Sequence, residues 1–171
     1  MSPTLPSQAA ARKLRLAGAV LVVVALVNIG FALALPPAGR SPVPGILVEL
    51  VGAALGLWLL RRSLAGARAA TWYAAFGIGF GIAVFAVLLP VLKPPAVWID
   101  ALRTDFAVDG VPLLRGLAHL VLLGVVYRLL RSAPVRQART AAGLPDTLPW
   151  PAFLLGAGLA CVVALAIALG R

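Results

Sequence analysis

Five long apolar runs dominate this sequence and limit the folds that it can adopt. They cover about residues 16–35, 43–60, 69–92, 112–130 and 150–169. A helix of about 20 residues rises about 30 Å, which matches the hydrocarbon thickness of a bilayer. The runs therefore predict an all-α integral membrane protein: a single domain with a bundle of five transmembrane helices.

The composition points to lipid as the environment of these runs. Of 171 residues, 62% are hydrophobic and 12% are charged, whereas soluble domains are about half apolar and a quarter charged. A single soluble core of this length could not hide so much apolar surface. We predict contact with the lipid bilayer and a multi-pass location in a bacterial plasma (inner) membrane.

The placement of the basic residues predicts the orientation. The formal net charge is +10, but the basic residues flank apolar runs on one side instead of forming a nucleic-acid face. Lys and Arg near span ends mark the cytoplasmic side, so the N-terminus is predicted inside and the C-terminus outside, and no nucleic acid is expected as a partner. These residues are Arg12, Lys13, Arg15, Arg61, Arg62, Arg68, Arg128, Arg131, Arg136 and Arg139.

Aromatic residues near the run ends agree with this orientation, as an interfacial belt requires. Trp58, Trp72, Tyr73, Tyr127 and Trp150 fall at predicted inner ends. The first run leaves an alternative open. A basic start, an apolar middle and the A-x-A pattern Ala32-Leu33-Ala34 also fit a cleaved signal peptide, whereas the full apolar length and Asn28 favour a retained anchor.

The segments outside the runs are predicted as follows. Residues 1–11 form a disordered tail, and residues 131–149 form a basic cytoplasmic loop. In 93–111, Trp98, Leu102 and Phe106 share one helical face, which predicts a short amphipathic helix on the outer surface, with an irregular loop as the alternative. Pro90 is expected to bend the outer end of the third span.

Polar residues from three runs fall at one depth. Asn28, Glu49 and His119 each lie six or seven residues below an outer end, roughly 9 to 10 Å at about 1.5 Å per residue. Arg115 is one turn above His119. Because charged groups within lipid seek partners, we predict that Glu49 pairs with Arg115, His119 or both, with Asn28 hydrogen-bonded nearby.

Two interpretations of this intramembrane polar cluster remain. In the favoured one it is a structural clasp that fixes helix register. In the other, Glu49 and His119 form a protonatable pair lining an outward-facing cavity.

Glycine spacing predicts where helices pack closely. Gly52 and Gly56 form one GxxxG motif, and Gly77 and Gly81 form another. Without side chains, such positions let helix backbones approach each other in lipid. Glu49 shares a helical face with the first pair, so that face is predicted to point inward.

Signatures of catalysis are weak. His119 is the single histidine and Cys161 the single cysteine, so bis-histidine haem ligation, a zinc site within one chain and an internal disulfide lack residues. We predict no cofactor, no metal and no catalytic residue.

These features favour a non-catalytic accessory, assembly or scaffold subunit. The alternative is a small transporter or channel component that uses Glu49 and His119. A membrane enzyme acting on lipid or quinone is the least favoured class. A protein partner or a homo-oligomer is compatible with the favoured function.

Overall fold

A computed structural model describes residues 7–34, 41, 43–92, 99 and 111–169. Over these residues the chain is helical and contains no strand. A π-helical turn, Val84–Leu88, joins the third helix to the fourth. The helices are α1 (Gln8–Ala34), α2 (Val43–Leu60), α3 (Leu64–Ala83), α4 (Leu89–Leu92), α5 (Val111–Leu130), α6 (Ala133–Ala141) and α7 (Trp150–Leu169).

Five segments are long and apolar enough to cross a membrane. They are Gln8–Ala34, Val43–Leu60, Leu64–Val87, Leu113–Leu130 and Trp150–Leu169. Each also exposes large apolar side chains: Leu155 is 67% exposed and Val121 is 65% exposed. Apolar surface on this scale is costly in water. The predicted helical class is confirmed for the described residues, and the five segments fit a multi-pass membrane protein in contact with lipid.

The chain divides into two compact units. Unit 1 comprises Met1–Tyr73 and Val125–Leu148, and unit 2 comprises Ala74–Gly124 and Pro149–Arg171. The single domain inferred from the sequence stays a prediction.

In unit 1, α1 and α2 meet along small residues. Asn28, Ala25, Leu21 and Gly18 are buried on one face of α1. A Cβ atom built at Gly18 would lie only 2.6 Å from the carbonyl oxygen of Gly56. The reverse substitution would place a Cβ atom at Gly56 2.8 Å from the carbonyl oxygen of Gly18. The two backbones are therefore in direct contact, which only glycine permits at these positions.

In unit 2, α3 and α7 make a similar contact. A Cβ atom at Gly156 would overlap the carbonyl oxygen of Phe76, and one at Gly79 would overlap that of Phe153. The buried face of α7 consists of Ala152, Gly156, Ala160 and Ala164. This spacing of four residues presents a flat strip on which the neighbouring backbone rests.

The predicted disorder of residues 1–11 is wrong from Gln8 onward. Ser7 caps α1, since its Oγ accepts a hydrogen bond from Ala10 N at 3.3 Å. Ala10 and Leu14 are fully buried, and this first part of α1 belongs to the face that packs within unit 1, where α1 also contacts α6. The packing of Ala10 and Leu14 within unit 1 stabilises two additional turns. Residues 1–6 lie outside the described residues.

The predicted loop at 131–149 contains a helix. Ser132 occupies the N-cap position of α6, and a proline lies in the first turn, both of which favour helix starts. Gly143 adopts a positive φ of 72° just after the helix, a conformation that glycine accommodates at helix C-termini. These local signals were present in the sequence, but the segment is short and lacks a long apolar run.

The third span also differs from its prediction. It begins at Leu64 instead of 69, because Ser63 Oγ accepts a hydrogen bond from Gly66 N at 3.0 Å and caps the helix. Before Pro90 the helix adopts a π-helical turn, in which Leu89 N donates to the carbonyl oxygen of Val84. Proline lacks the N–H that would continue the regular pattern, and a π turn redistributes the bonds there. The predicted amphipathic segment at 93–111 lies outside the described residues, apart from positions 99 and 111.

Candidate intramembrane polar site

The centre of the candidate site is a hydrogen bond between two helices of unit 1. Asn28 Nδ2 donates to Glu49 Oε1 at 2.8 Å. Asn28 is only 8% exposed, and Glu49 is half-buried. A carboxylate that accepts a bond from an amide in an apolar setting is better satisfied than one facing hydrocarbon.

Helix packing explains how these two residues meet. Asn28 follows Gly18 by ten residues on the buried face of α1, and Glu49 precedes Gly56 by seven residues on α2. Since Gly18 contacts Gly56 and Asn28 contacts Glu49, residue numbers rise along α1 as they fall along α2. The helices are antiparallel neighbours, and the glycine contact brings the polar pair within reach.

Tyr73 is a third polar side chain at this site, and sequence reasoning missed it. Its hydroxyl donates to the carbonyl oxygen of Val48 at 3.5 Å, a long hydrogen bond. A Cβ atom built at Gly52 would lie 2.9 Å from the Tyr73 hydroxyl oxygen. The absence of a side chain at Gly52 therefore leaves space for the Tyr73 phenol next to Val48, the residue before Glu49.

The start of α3 changes the position of Tyr73 within its helix. A span that begins at 69 puts Tyr73 in an interfacial belt, and that placement stays a prediction. Because α3 begins at Leu64, Tyr73 lies nine residues into the helix, or about 14 Å along its axis. Ser63, as an N-cap residue, is the sequence signal that could have corrected this depth.

The other two predicted members of the cluster lie on α5 in unit 2. Arg115 is exposed, and His119 is half-buried one turn later on the same helix. The structure thus brings Asn28 and Glu49 together within unit 1. Pairing of Glu49 with Arg115 or His119 stays a prediction.

The glycines of the second predicted motif contact side chains. A Cβ atom at Gly77 would lie 2.6 Å from Leu123 Cδ1, and one at Gly81 would lie 3.0 Å from Leu120 Cδ1. Both contacts are made by the flexible ends of leucines on α5. These two positions therefore adjoin a softer surface than Gly156 or Gly79, which face backbone.

A second group of charges lies outside the spanning segments. Asp146 accepts hydrogen bonds from Arg131 Nη1 at 2.5 Å and from Arg136 Nε at 2.6 Å. Burial alone would raise the pKa of Asp146, but the hydrogen bond from Arg136 and the charges of Arg131, Arg136 and Arg139 hold that pKa below its ordinary value. Sequence reasoning did not identify Asp146.

Within the residues that the structure describes, no group of three His, Cys, Asp or Glu side chains could hold a metal ion. Cys161 is exposed on α7. Comparisons of the chain with protein-family models, curated proteins and solved structures find no match.

Proposed function

We propose that this chain is a non-catalytic accessory, assembly or scaffold subunit of a bacterial plasma (inner) membrane. In this proposal Asn28 and Glu49 form a structural clasp between α1 and α2. The observation that carries the proposal is their 2.8 Å hydrogen bond. It joins two helices whose backbones already touch at Gly18 and Gly56.

The packing around the clasp favours a structural role over conduction. Gly52 precedes Gly56 by one turn on α2. The Tyr73 ring fills the space next to Gly52 where a side chain would otherwise lie. Asn28 and Gly18 are buried on the same face of α1. A hydrogen bond between two closely packed helices favours one helix register, because the bond requires a particular distance and direction.

The proposal also includes the orientation of the chain in the membrane. The N-terminus is cytoplasmic and the C-terminus is outside, because that arrangement keeps the basic residues near 61–68 and 131–139 on one side. Cysteine labelling in intact cells at 62 and 136 tests this arrangement. Protection of both positions from an impermeant reagent is the expected result, and labelling of either one or of both contradicts it.

Two substitutions at one position test the clasp. Glu49→Gln keeps an oxygen that can accept from Asn28 but removes the titratable group, whereas Glu49→Leu removes both. For a clasp, Glu49→Gln retains normal protein abundance and normal co-purification of partners in mild detergent, and Glu49→Leu lowers abundance. Mass spectrometry of the purified complex provides the second readout.

The same pair of variants separates the clasp from a transporter that depends on protonation. Such a transporter would lose function with Glu49→Gln while its abundance stayed normal. His119→Ala is the companion variant, since the transporter alternative requires both groups. A growth or flux defect in Glu49→Gln at unchanged abundance would reject the structural proposal.

A further inference from the structure

A basic cluster lies where α5, α6 and α3 begin or end in unit 1. We define it as Arg68, Arg131, Arg136, Arg139 and Asp146. The four guanidinium groups and one carboxylate act electrostatically on one another, and four minus one leaves three positive charges in excess. Positive charge of this density attracts anions.

The most unusual member of the cluster is Arg139. Its side chain is 1% exposed, and its Nη2 donates to the carbonyl oxygen of Pro145 at 3.0 Å. Its Nε and Nη1 are buried and have no acceptor. Burial, followed by the charges of Arg131, Arg68 and Arg136, lowers the pKa of Arg139, and Asp146 opposes this shift. A buried cation with two donors unused is costly.

Asp146 cannot satisfy all of these donors. One of its oxygens binds Arg131 and the other binds Arg136. A carboxylate has only two oxygens, whereas a phosphate group offers three or four and forms short paired bonds with guanidinium forks. A phosphate therefore has enough acceptor oxygens to bind three arginines.

A groove of about 550 Å³ borders two members of this cluster. Arg136 and Asp146 both line it, so an anion entering the groove meets a guanidinium directly and competes with the carboxylate. Gln137 and Thr140 add polar groups that can contact the remaining oxygens. The lining residues are Ala133, Arg136, Gln137, Thr140, Ala141 and Asp146.

We propose that the basic cluster binds the phosphate group of an anionic ligand, with Arg131, Arg136 and Arg139 as donors and Asp146 as a built-in competitor. The phosphate displaces Asp146 and supplies the additional oxygens that reach Arg139. Because α6 lies between two helices that are long enough to span a membrane, phospholipid headgroups are one source. Inorganic phosphate is the other.

The test uses the full chain in dodecyl maltoside. Binding is measured from thermal unfolding with increasing phosphatidylglycerol, phosphatidylcholine or inorganic phosphate at constant ionic strength, since a ligand that binds the folded state raises Tm. Arg139→Lys keeps the charge but loses the fork. We expect Arg139→Lys to lower the affinity for whichever of the three probes binds the wild type by at least about fivefold. Arg12→Lys, at an exposed position of α1, is the matched control and should leave affinity unchanged.

A second pair of variants tests the competition. Asp146→Asn and Thr147→Lys each raise the net charge by one, and Thr147 is exposed. If Asp146 competes with the phosphate, Asp146→Asn strengthens binding several-fold more than Thr147→Lys does. If the Arg139→Lys variant does not fold, the comparison of Asp146→Asn with Thr147→Lys tests the proposal by itself. Equal effects of the two charge changes would then overturn the proposal.

The three probes separate the two sources. A saturable Tm increase with phosphatidylglycerol alone supports a lipid headgroup, and the same increase with inorganic phosphate supports a free anion. Equal responses to phosphatidylglycerol and phosphatidylcholine without any response to inorganic phosphate would overturn the proposal. So would equal affinities for Arg139→Lys and Arg12→Lys.

Discussion

The two units of the molecule bring helices together in related but different ways. In unit 2, glycines face the backbone at phenylalanine positions: Gly156 meets Phe76 and Gly79 meets Phe153. In unit 1, glycine faces glycine, and the same helix pair adds the Asn28–Glu49 hydrogen bond.

The comparison shows what a polar residue adds to a contact in lipid. Burial of apolar surface gives little drive for helix association in lipid. In both units the close approach of backbones therefore has to stabilise the helix pair through van der Waals contacts. On α3, Phe76 and Phe80 are one turn apart and stack on each other with ring centroids 6.4 Å apart. At the α1–α2 contact, Leu21 and Val22 pack against Gly56. The Asn28–Glu49 hydrogen bond adds a directional polar interaction to this apolar packing.

The largest expected effect is at the unit 2 contact. Gly156→Ala would force a methyl group onto the carbonyl oxygen of Phe76, and because backbone cannot rotate away, we expect a loss of about 3 kcal/mol in unfolding free energy. Gly158→Ala is the control on the same helix, since a Cβ atom there meets nothing within 4 Å. Its stability should be unchanged or higher by up to about 1 kcal/mol. Thermal unfolding in detergent, followed by circular dichroism, measures both, and equal losses would contradict the contact.

A smaller loss is expected at the glycine pair of unit 1. Gly18→Ala would place a methyl group 2.6 Å from the carbonyl oxygen of Gly56 and 3.0 Å from Leu59 Cβ. We expect about 2 kcal/mol of destabilisation, because α1 and α2 can separate slightly. Gly30→Ala, with no neighbour within 4 Å, should be close to neutral in the same assay. A neutral Gly18→Ala would remove direct backbone contact as the basis of unit 1.

The Asn28–Glu49 hydrogen bond should contribute less to the free energy of unfolding than either glycine contact. In a double-mutant cycle with Asn28→Ala and Glu49→Ala, we expect a coupling energy of about 1 kcal/mol, which is typical of interhelical hydrogen bonds in lipid. The four unfolding free energies are measured in one detergent. Additive effects would show that the bond does not stabilise the pair and would leave register to packing alone.

The smallest expected effect concerns the ion pairs of Asp146 with Arg131 and Arg136, which are partly exposed. Because the folded-state pKa of Asp146 lies below its ordinary value of 3.8, its ionised form stabilises the protein above that value. The stabilisation is lost as pH falls through the lower folded-state pKa. We expect about 1 kcal/mol or less, given the exposure of Arg136. The Tm difference between wild type and Asp146→Asn should shrink as pH falls from 6 to 3, and a difference independent of pH would contradict the pairing.

The sequence predicted helices well where apolar runs have sharp ends. The runs at 43–60 and 150–169 are helical over the same residues in the structure, and each has proline in its first turn, at Pro44 and Pro151. Errors arose where a helix continues past its apolar part. The first turns of α1 and α3 were missed because their stabilisation comes from the caps Ser7 and Ser63 and from packing.

The site was only partly predictable for a related reason. Asn28 and Glu49 stood out because polar residues are rare in apolar runs. Tyr73 did not, because its role depends on the start of α3 and on the space left by Gly52. Asp146 was missed because its arginine partners are 10 and 15 residues earlier, across a helix that hydropathy does not reveal.

The helical class of this chain follows from its apolar segments alone. Long apolar segments must satisfy their backbone hydrogen bonds internally in lipid, and a helix does so with local bonds alone. The packing of the helices, in contrast, sets which glycine faces which backbone, brings Tyr73 into the space at Gly52 and pairs Asp146 with two arginines. Those outcomes depend on the register and rotation of whole helices, which arise from many weak contacts between residues distant in the chain.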